Sequence, residues 1–347
     1  MSELYVDWTL AKRAARRLVA DGPEITATEA ADAVENLREA AMTAQGPVAE
    51  TSRMDASVGP DSPVRVVDRG AWIDLNVDSM ADLLGPVVDK ITAKKQAGPR
   101  ARAVGAKITG AETGGLMAFV ATKVLGQFDL APQGQPSLLL IAPNIVAAER
   151  ELQVSPRDFR LWVCLHEEAH RVQFTAVPWL REHLIERSRQ LVVDLVPDPA
   201  ALQERMQNVV KALPSAVREG GGGLSDLVVT PQQRAEIADL TAVMSLLEGH
   251  ADVVMDDVGP QVVPTVTEIR ARFNERRRGA GSLDRVIRRL LGFEAKMRQY
   301  RDGAAFCRAV QEQVGVDGFN AIWSSPQTLP TAAEIEAPHK WVARVHG

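Results

Sequence analysis

The chain has 347 residues, of which 46% are hydrophobic and 24% charged, and this balance excludes a disordered or fibrous protein. The net charge of −5 excludes the basic surface typical of nucleic-acid binding. The sequence contains no run of about 18 apolar residues, so we expect no membrane span. The N-terminus lacks a signal-peptide pattern, and Cys164 and Cys307 are too few for a disulfide framework. We therefore expect a soluble cytoplasmic protein without nucleic-acid or membrane partners.

Helical periodicity dominates the first third of the chain. Residues 7–20 and 26–42 repeat apolar positions at intervals of three and four, as amphipathic helices do. After a break at Pro60 and Pro63, residues 64–84 predict a short strand or turn followed by a helix. Residues 100–125 contain several glycines but keep a helical apolar stripe, which includes Val104, Ile108 and Leu116. They predict a buried helix whose glycines allow another backbone to pack closely.

The best strand candidate is Ser137–Ile141, which is apolar and lies between Pro136 and Pro143. Because proline removes a ladder hydrogen bond, we predict an edge strand. Further helices are predicted over residues 145–152, 158–176, 179–196, 200–213 and 232–257, with a glycine loop at 220–223. The sequence thus predicts a mainly α (α+β) fold with a small sheet, divided into an N-terminal helical lobe (1–130) and a second unit (131–347).

One motif, His166-Glu167-Glu168-Ala169-His170, carries recognisable chemistry. In a helix, residues four apart share one face, so both imidazoles can bind one zinc ion while Glu167 lies beside them as a general base. Ser155 as a cap and Pro156 at the first helical position support the helix. By chance, an H-E-x-x-H is expected roughly 0.005 times in such a chain, so coincidence is a weak explanation.

A catalytic zinc site needs a third protein ligand, and the helix predicted over residues 232–257 offers candidates. Glu248 and Asp252 lie one turn apart, so Glu248 could bind the ion while Asp252 accepts a hydrogen bond from a ligand histidine. His250, on a different face, is the rival ligand. A solvated Glu248 without a metal role is the third possibility.

The segments LHEEAHRVQF and LLEGHADVVMD resemble a bacterial family of zincin-like metallopeptidases, long catalogued as a domain of unknown function. One branch of that family is associated with biosynthesis of a deazaflavin coenzyme. The resemblance extends over nearly the whole chain and implies a zincin core for residues 131–347. It also implies His166, His170 and Glu248 as zinc ligands, Glu167 as the base, and an Asp252 similar to the supporting aspartate of thermolysin-like peptidases. Glu248 follows His170 by 78 residues, which departs from the spacing in that class.

These features predict a zinc-dependent hydrolase that cleaves a peptide or amide bond. The oxyanion would need a further donor, for which Tyr300, His250 and His183 are candidates, although the helical, arginine-rich surroundings of Tyr300 favour a packing role for it. An extended substrate could pair with the edge of strand Ser137–Ile141. We expect no specific role for His339 and His346, which lie in a polar C-terminal tail.

Two other classes of function compete with a peptidase. A non-catalytic zinc-bearing scaffold or regulatory binding protein would retain the ligands, but it would not need Glu167. An amide hydrolase acting on a small metabolite would retain both the ligands and the base. The sequence leaves the oligomeric state open.

Overall fold

A computed structural model describes residues 6–59, 61–92, 98–195, 230–278 and 293–347. Within them, helices surround one small three-stranded sheet, which confirms the predicted mainly α fold. The predicted helix at 200–213 and the glycine loop at 220–223 lie outside the described residues. None of the described helices combines the length and hydropathy needed to cross a bilayer. The division at residue 130 stays a prediction.

The described elements follow one another in this order: α1 Trp8–Leu18, α2 Ala27–Ser52, β1 Val64–Val67, α3 Arg69–Thr92, α4 Pro99–Val120, β2 Gly126–Asp129, β3 Ser137–Ile141, α5 Ala142–Leu152, α6 Pro156–Ala176, α7 Pro178–Leu195, α8 Pro231–Val262, α9 Val266–Arg278, α10 Phe293–Phe319, α11 Ala332–Glu336 and α12 Pro338–His346. Short 3-10 turns cover Ala56–Val58, Asn320–Trp323 and Pro326–Thr328.

The end of α2 and the cap of α6 differ from the sequence prediction. Helix α2 continues past residue 42 to Ser52 and includes Pro47. Helix α6 starts at Pro156 as predicted, but the Ser155 side chain makes no capping bond. Instead Asp158, in the first turn, accepts hydrogen bonds from the Thr265 hydroxyl at 2.6 Å and the Thr265 backbone NH at 3.3 Å. A contact between distant segments therefore holds this end of α6, where a local cap was expected.

Gly110 and Gly114 lie on the buried face of α4. A Cβ at Gly110 would lie 2.5 Å from the Asp7 carbonyl oxygen, and one at Gly114 would lie 2.7 Å from the Ala14 Cβ. The predicted close backbone packing is present, against α1. The predicted buried stripe is wrong, because Val104, Ile108 and Leu116 are all exposed. A helix can bring only one face against α1, and here the small residues occupy it.

The prediction of an edge position for β3 is wrong. The strand order is β1-β3-β2, with β3 parallel to β1 and antiparallel to β2, and all five residues of β3 are buried. Pro143 lies in the first turn of α5 and Pro136 precedes the strand, so neither removes a donor from the ladder. The edge strands are β1 and β2.

The two faces of the sheet contact different helices. Leu139 and Ile141 join a core with residues of α1, α3 and α4, whereas Leu140 joins a larger core with α2, α6, α8 and α10. Phe128 of β2 stacks on Phe174 of α6, with ring centroids 5.0 Å apart. This stacking places edge strand β2 beside the helix that carries the H-E-x-x-H motif.

Candidate metal centre

Helices α6 and α8 bring three candidate ligands together. The Nε2 atoms of His166 and His170 lie 3.2 Å apart, and each is 3.5 Å from Oε2 of Glu248. The two imidazole rings are nearly perpendicular, at 89°. Among the described residues, this is the one group of three or more His, Cys, Asp or Glu side chains with converging ligand atoms.

The spacing of these atoms suits a small tetrahedral cation. Bonds of about 2.0–2.1 Å in tetrahedral geometry separate neighbouring ligand atoms by about 3.3–3.4 Å. The distances of 3.2, 3.5 and 3.5 Å correspond to one triangular face of such a tetrahedron. Two nitrogens and one carboxylate oxygen are also donors that zinc accepts, and three protein ligands leave one position for water or substrate.

Glu167 lies beside this group and is only 7% exposed. Its side chain packs against Gly126 at the start of β2, where an added Cβ would lie 2.4 Å from Cγ and 2.6 Å from Oε1 of Glu167. Any other residue at position 126 would occupy the space of the glutamate. The sequence prediction did not identify Gly126, because 41 positions separate it from Glu167 and no local pattern connects them.

Burial and neighbouring charges shift the acidity of these groups in opposite directions. Burial raises the pKa of Glu167, although His166 and His170 partly offset this effect. For Glu248, burial also favours the neutral acid, but His170 and His166 outweigh it and hold the pKa well below its ordinary value. Burial alone would lower the pKa of His170, but Glu248 and Glu167 raise it to about 9. His170 and Glu248 therefore each favour the charged form of the other.

Asp252 lies near the histidines, and His250 faces elsewhere. Oδ1 of Asp252 is 4.0 Å from Nδ1 of His166, which is longer than a hydrogen bond. His250 is 1% exposed and stacks on Phe319, with ring centroids 5.4 Å apart. Burial, together with the charge of nearby His170, lowers the pKa of His250 to about 3. The structure thus brings Glu248 to the histidine pair, while the rival ligand His250 is enclosed by aromatic rings.

Gln173 contacts the site although the sequence prediction gave it no role. Its Oε1 is 3.1 Å from Nδ1 of His170, and its Nε2 is 2.8 Å from the Leu247 carbonyl and 3.0 Å from Nδ1 of His250. Gln173 is fully buried. Its position three residues after His170 on the same helix face was the available signal.

Helix α10 crosses α8 directly beside Glu248. A Cβ at Gly249 would lie 2.2 Å from the Gly303 carbonyl carbon, and one at Gly303 would lie 1.9 Å from the Ser245 carbonyl oxygen. The two backbones are therefore in direct contact, which only glycine at these positions permits. This contact holds the α8 backbone in place at the residue next to the candidate ligand.

Among the described side chains, His183 and Cys164 do not belong to the converging group. Tyr300 lies in α10, one turn before Gly303, but its side chain is outside the described part of the chain. The His183 ring packs edge-on against Trp179, with centroids 5.7 Å apart. Cys164 is fully buried with its sulfur 3.8 Å from the Leu37 carbonyl, and burial raises its pKa.

Comparison with known proteins adds two findings. A search of curated proteins finds no match to the chain. A crystal structure from Chloroflexus aurantiacus, described as a candidate hydrolase with a novel fold, is similar, with a TM-score of 0.70 and 28% sequence identity. The similarity covers 98% of this chain and 99% of that one. The family model for zincin-like metallopeptidases matches residues 6–342. On this match over nearly its whole length, the chain belongs to the zincin-like metallopeptidase family.

Proposed function

We propose that this protein is a zinc-dependent hydrolase that cleaves a peptide or amide bond, with His166, His170 and Glu248 as the metal ligands. The observation that carries the proposal is the convergence of these three side chains at 3.2–3.5 Å beside the buried carboxylate of Glu167. A scaffold would need the ligands alone, and it would gain nothing from burying an acidic residue next to them.

When bound, zinc would act as a Lewis acid that polarises the scissile carbonyl and lowers the pKa of water towards neutrality. Glu167 accepts the proton of the attacking water on a carboxylate oxygen and then delivers it to the leaving nitrogen. Its raised pKa suits both steps, because a base that is too acidic holds a proton poorly. The enclosed position beside Gly126 keeps bulk water from competing for that proton.

The substrate would lie along β2. Within the described residues no strand pairs with the outer edge of β2, and its first residue contacts Glu167. An extended peptide could add there as a further strand through backbone hydrogen bonds. This replaces the expected pairing with Ser137–Ile141, whose two edges are already occupied.

Two further residues belong to the proposal. Asp252 would orient His166, and a small rotation would close the 4.0 Å gap to hydrogen-bond distance. Tyr300 would supply a donor to the oxyanion, since its helix crosses α8 next to Glu248. The Tyr300→Phe variant tests this role, and kcat should fall while zinc content is unchanged.

Metal content is the first measurement. We expect about one zinc per chain by mass spectrometry, and a large loss in Glu248→Ala. Glu236→Ala, on the same helix but away from the histidines, is the matched control and should retain the metal. A wild-type protein that takes up no zinc at neutral pH would refute the proposal.

Hydrolysis is then measured on a peptide library and, separately, on a panel of small amides. Glu167→Gln should retain zinc and lose about 10²–10⁴-fold in kcat, the usual contribution of a general base. Activity confined to small amides would identify a metabolite amidase. Full activity in zinc-loaded Glu167→Gln would exclude Glu167 as the general base.

A further inference from the structure

Gln173 connects three parts of the candidate site from a fully buried position on α6. One end of its amide faces Nδ1 of His170 at 3.1 Å. The other end faces the Leu247 carbonyl oxygen at 2.8 Å and Nδ1 of His250 at 3.0 Å. Leu247 directly precedes Glu248 on α8, so one side chain contacts both ligand-bearing helices.

The Leu247 carbonyl determines which way this amide points. A backbone carbonyl only accepts hydrogen bonds, so the amide group facing it must be the NH₂ of Gln173. The amide oxygen then faces His170, and since this oxygen only accepts, Nδ1 of His170 must carry a hydrogen. The second NH₂ hydrogen points to Nδ1 of His250, which must therefore be an acceptor.

We propose that Gln173 is a positioning residue that sets the tautomer of His170, leaving its Nε2 lone pair directed at the metal, and that ties Glu248's helix to the H-E-x-x-H helix. Nε2 of His170 is the atom 3.2 Å from His166 and 3.5 Å from Glu248, so it belongs to the ligand triangle. A ligand histidine held through its other nitrogen keeps its ring orientation and becomes a better donor.

His250 and its aromatic neighbours stabilise the far end of this network. The His250 ring lies against Phe319, nearly parallel at 15°, and edge-on against Trp323, each with centroids 5.4 Å away. These contacts keep its Nδ1 in place as the acceptor for Gln173. His250, the rival of Glu248 as a ligand in the sequence analysis, thus supports the metal ligands indirectly, through its hydrogen bond with Gln173.

This inference rests on the proposed zinc site. Its main test compares a substitution at Gln173 that keeps only the shape of the side chain with one that keeps a hydrogen-bond acceptor. Gln173→Met keeps the shape and removes every hydrogen bond, whereas Gln173→Glu keeps an acceptor for His170. We expect zinc affinity, measured by chelator competition, to fall about 10–100-fold in Gln173→Met and less in Gln173→Glu. Gln190→Met, an exposed glutamine on α7, is the control and should match wild type. If Gln173 only fills space, the order of the two variants reverses, and this result would overturn the proposal.

A second measurement is made on the wild type and uses a variant only to assign one signal. Long-range ¹H–¹⁵N correlation spectra of the histidine-labelled wild type, without metal and at a pH above the His170 pKa of about 9, report which nitrogen of each of the six neutral imidazoles carries hydrogen. We expect hydrogen on Nδ1 of His170 and none on Nδ1 of His250, with the latter assigned through His250→Phe. The opposite pattern would overturn the inference even if zinc binds. A protein that binds no zinc but shows the expected pattern would refute the proposed function and leave the network intact.

Discussion

At the residue scale, the geometry around Glu167 depends on the absence of a side chain at position 126. Glu167 is nearly buried between α6 and β2, and its Cγ, Cδ and Oε1 fill the space that a Cβ of Gly126 would need. A general base must be held within a few tenths of an ångström to act efficiently. In the proposed mechanism, Gly126 would contribute to catalysis by leaving this space to Glu167.

We predict that Gly126→Ala lowers kcat by about 100-fold, because displacing a catalytic group by about 1 Å has an effect of this size. Zinc content and far-UV circular dichroism should stay at wild-type levels, because the ligands lie on other residues. Steady-state kinetics with a cleavable peptide checks the prediction. Gly46→Ala, at an exposed position with open space around it, is the control. Unchanged kcat in Gly126→Ala would mean that Glu167 has room to move without loss.

At the element scale, the site depends on how closely α8 and α10 approach. Gly249 and Gly303 let the two backbones touch beside Glu248, and Gly259, with a φ of 61°, bends the end of α8. The sequence predicted α8 correctly, and Thr230 and Gln233 form a capping box at its start. The partner of a helix is not a local property, so the crossing with α10 was not predictable.

We predict that Gly249→Ala destabilises the protein by about 1–3 kcal/mol through overpacking, despite the better helix propensity of alanine. It should also weaken zinc binding, because Glu248 moves with the backbone. Urea unfolding and chelator competition measure the two effects. Gly115→Ala in α4, which meets no atom within 4 Å, should be neutral or slightly stabilising. Equal stability of Gly249→Ala and wild type would contradict the close crossing.

The C-terminal segment is a packed helix, in contrast to the polar tail that we expected. Trp341 of α12 is fully buried, and its indole NH donates to the Thr328 carbonyl at 2.7 Å. Glu334 accepts hydrogen bonds from Arg344 at 2.6 and 3.0 Å and from the Thr331 NH at 2.9 Å. A single buried tryptophan among polar residues is a weak periodic signal, which is why the tail was misjudged.

The ion pair between Glu334 and Arg344 predicts that the folded protein loses stability in acid. Burial would raise the pKa of Glu334, but Arg344 and Thr331 outweigh burial and lower it below the ordinary 4.5. A carboxylate with a lowered folded-state pKa stabilises the fold above its unfolded pKa, and this contribution disappears as the pH falls through the folded value. Glu334→Gln should cost about 1.5–3 kcal/mol at pH 7 and nothing at low pH.

Urea unfolding of both proteins between pH 7 and pH 3 checks this prediction, and the two stability curves should begin to converge as the pH falls below about 4.5. Exposed Glu336→Gln is the control and should follow the wild-type curve. A constant difference between wild type and Glu334→Gln across this range would show that the charge on Glu334 is unimportant.

At the scale of the whole molecule, the candidate metal site joins distant parts of one core. The larger hydrophobic core contains residues of α2, α6, α8 and α10 together with Leu140 of the sheet. A metal ion held by α6 and α8 would therefore link two helices of this core. Binding to the folded state alone stabilises that state.

We predict that zinc raises the unfolding free energy by about 2.7 kcal/mol at a free concentration of 100 times Kd. Removal of zinc with a chelator should lower Tm, and re-addition should restore it, because the ligands lie on helices that are packed without the ion. Thermal unfolding of wild type and Glu248→Ala measures this effect, and the variant should not respond to zinc. A wild-type Tm independent of zinc would contradict a site in the core.

The sequence by itself determined the helices from α1 to α8, most of their starts, and the histidine pair with Glu167, because periodicity, capping and an i, i+4 spacing are local properties. It could not determine that β3 is central, that Gly126 adjoins Glu167, or that Gln173 bridges two helices. Nor did the residues alone decide between Glu248 and His250, which lie two positions apart on the same helix. Only tertiary packing decided these points, because they depend on which faces of distant segments meet. A buried polar side chain then has to pair with whichever polar groups are packed against it.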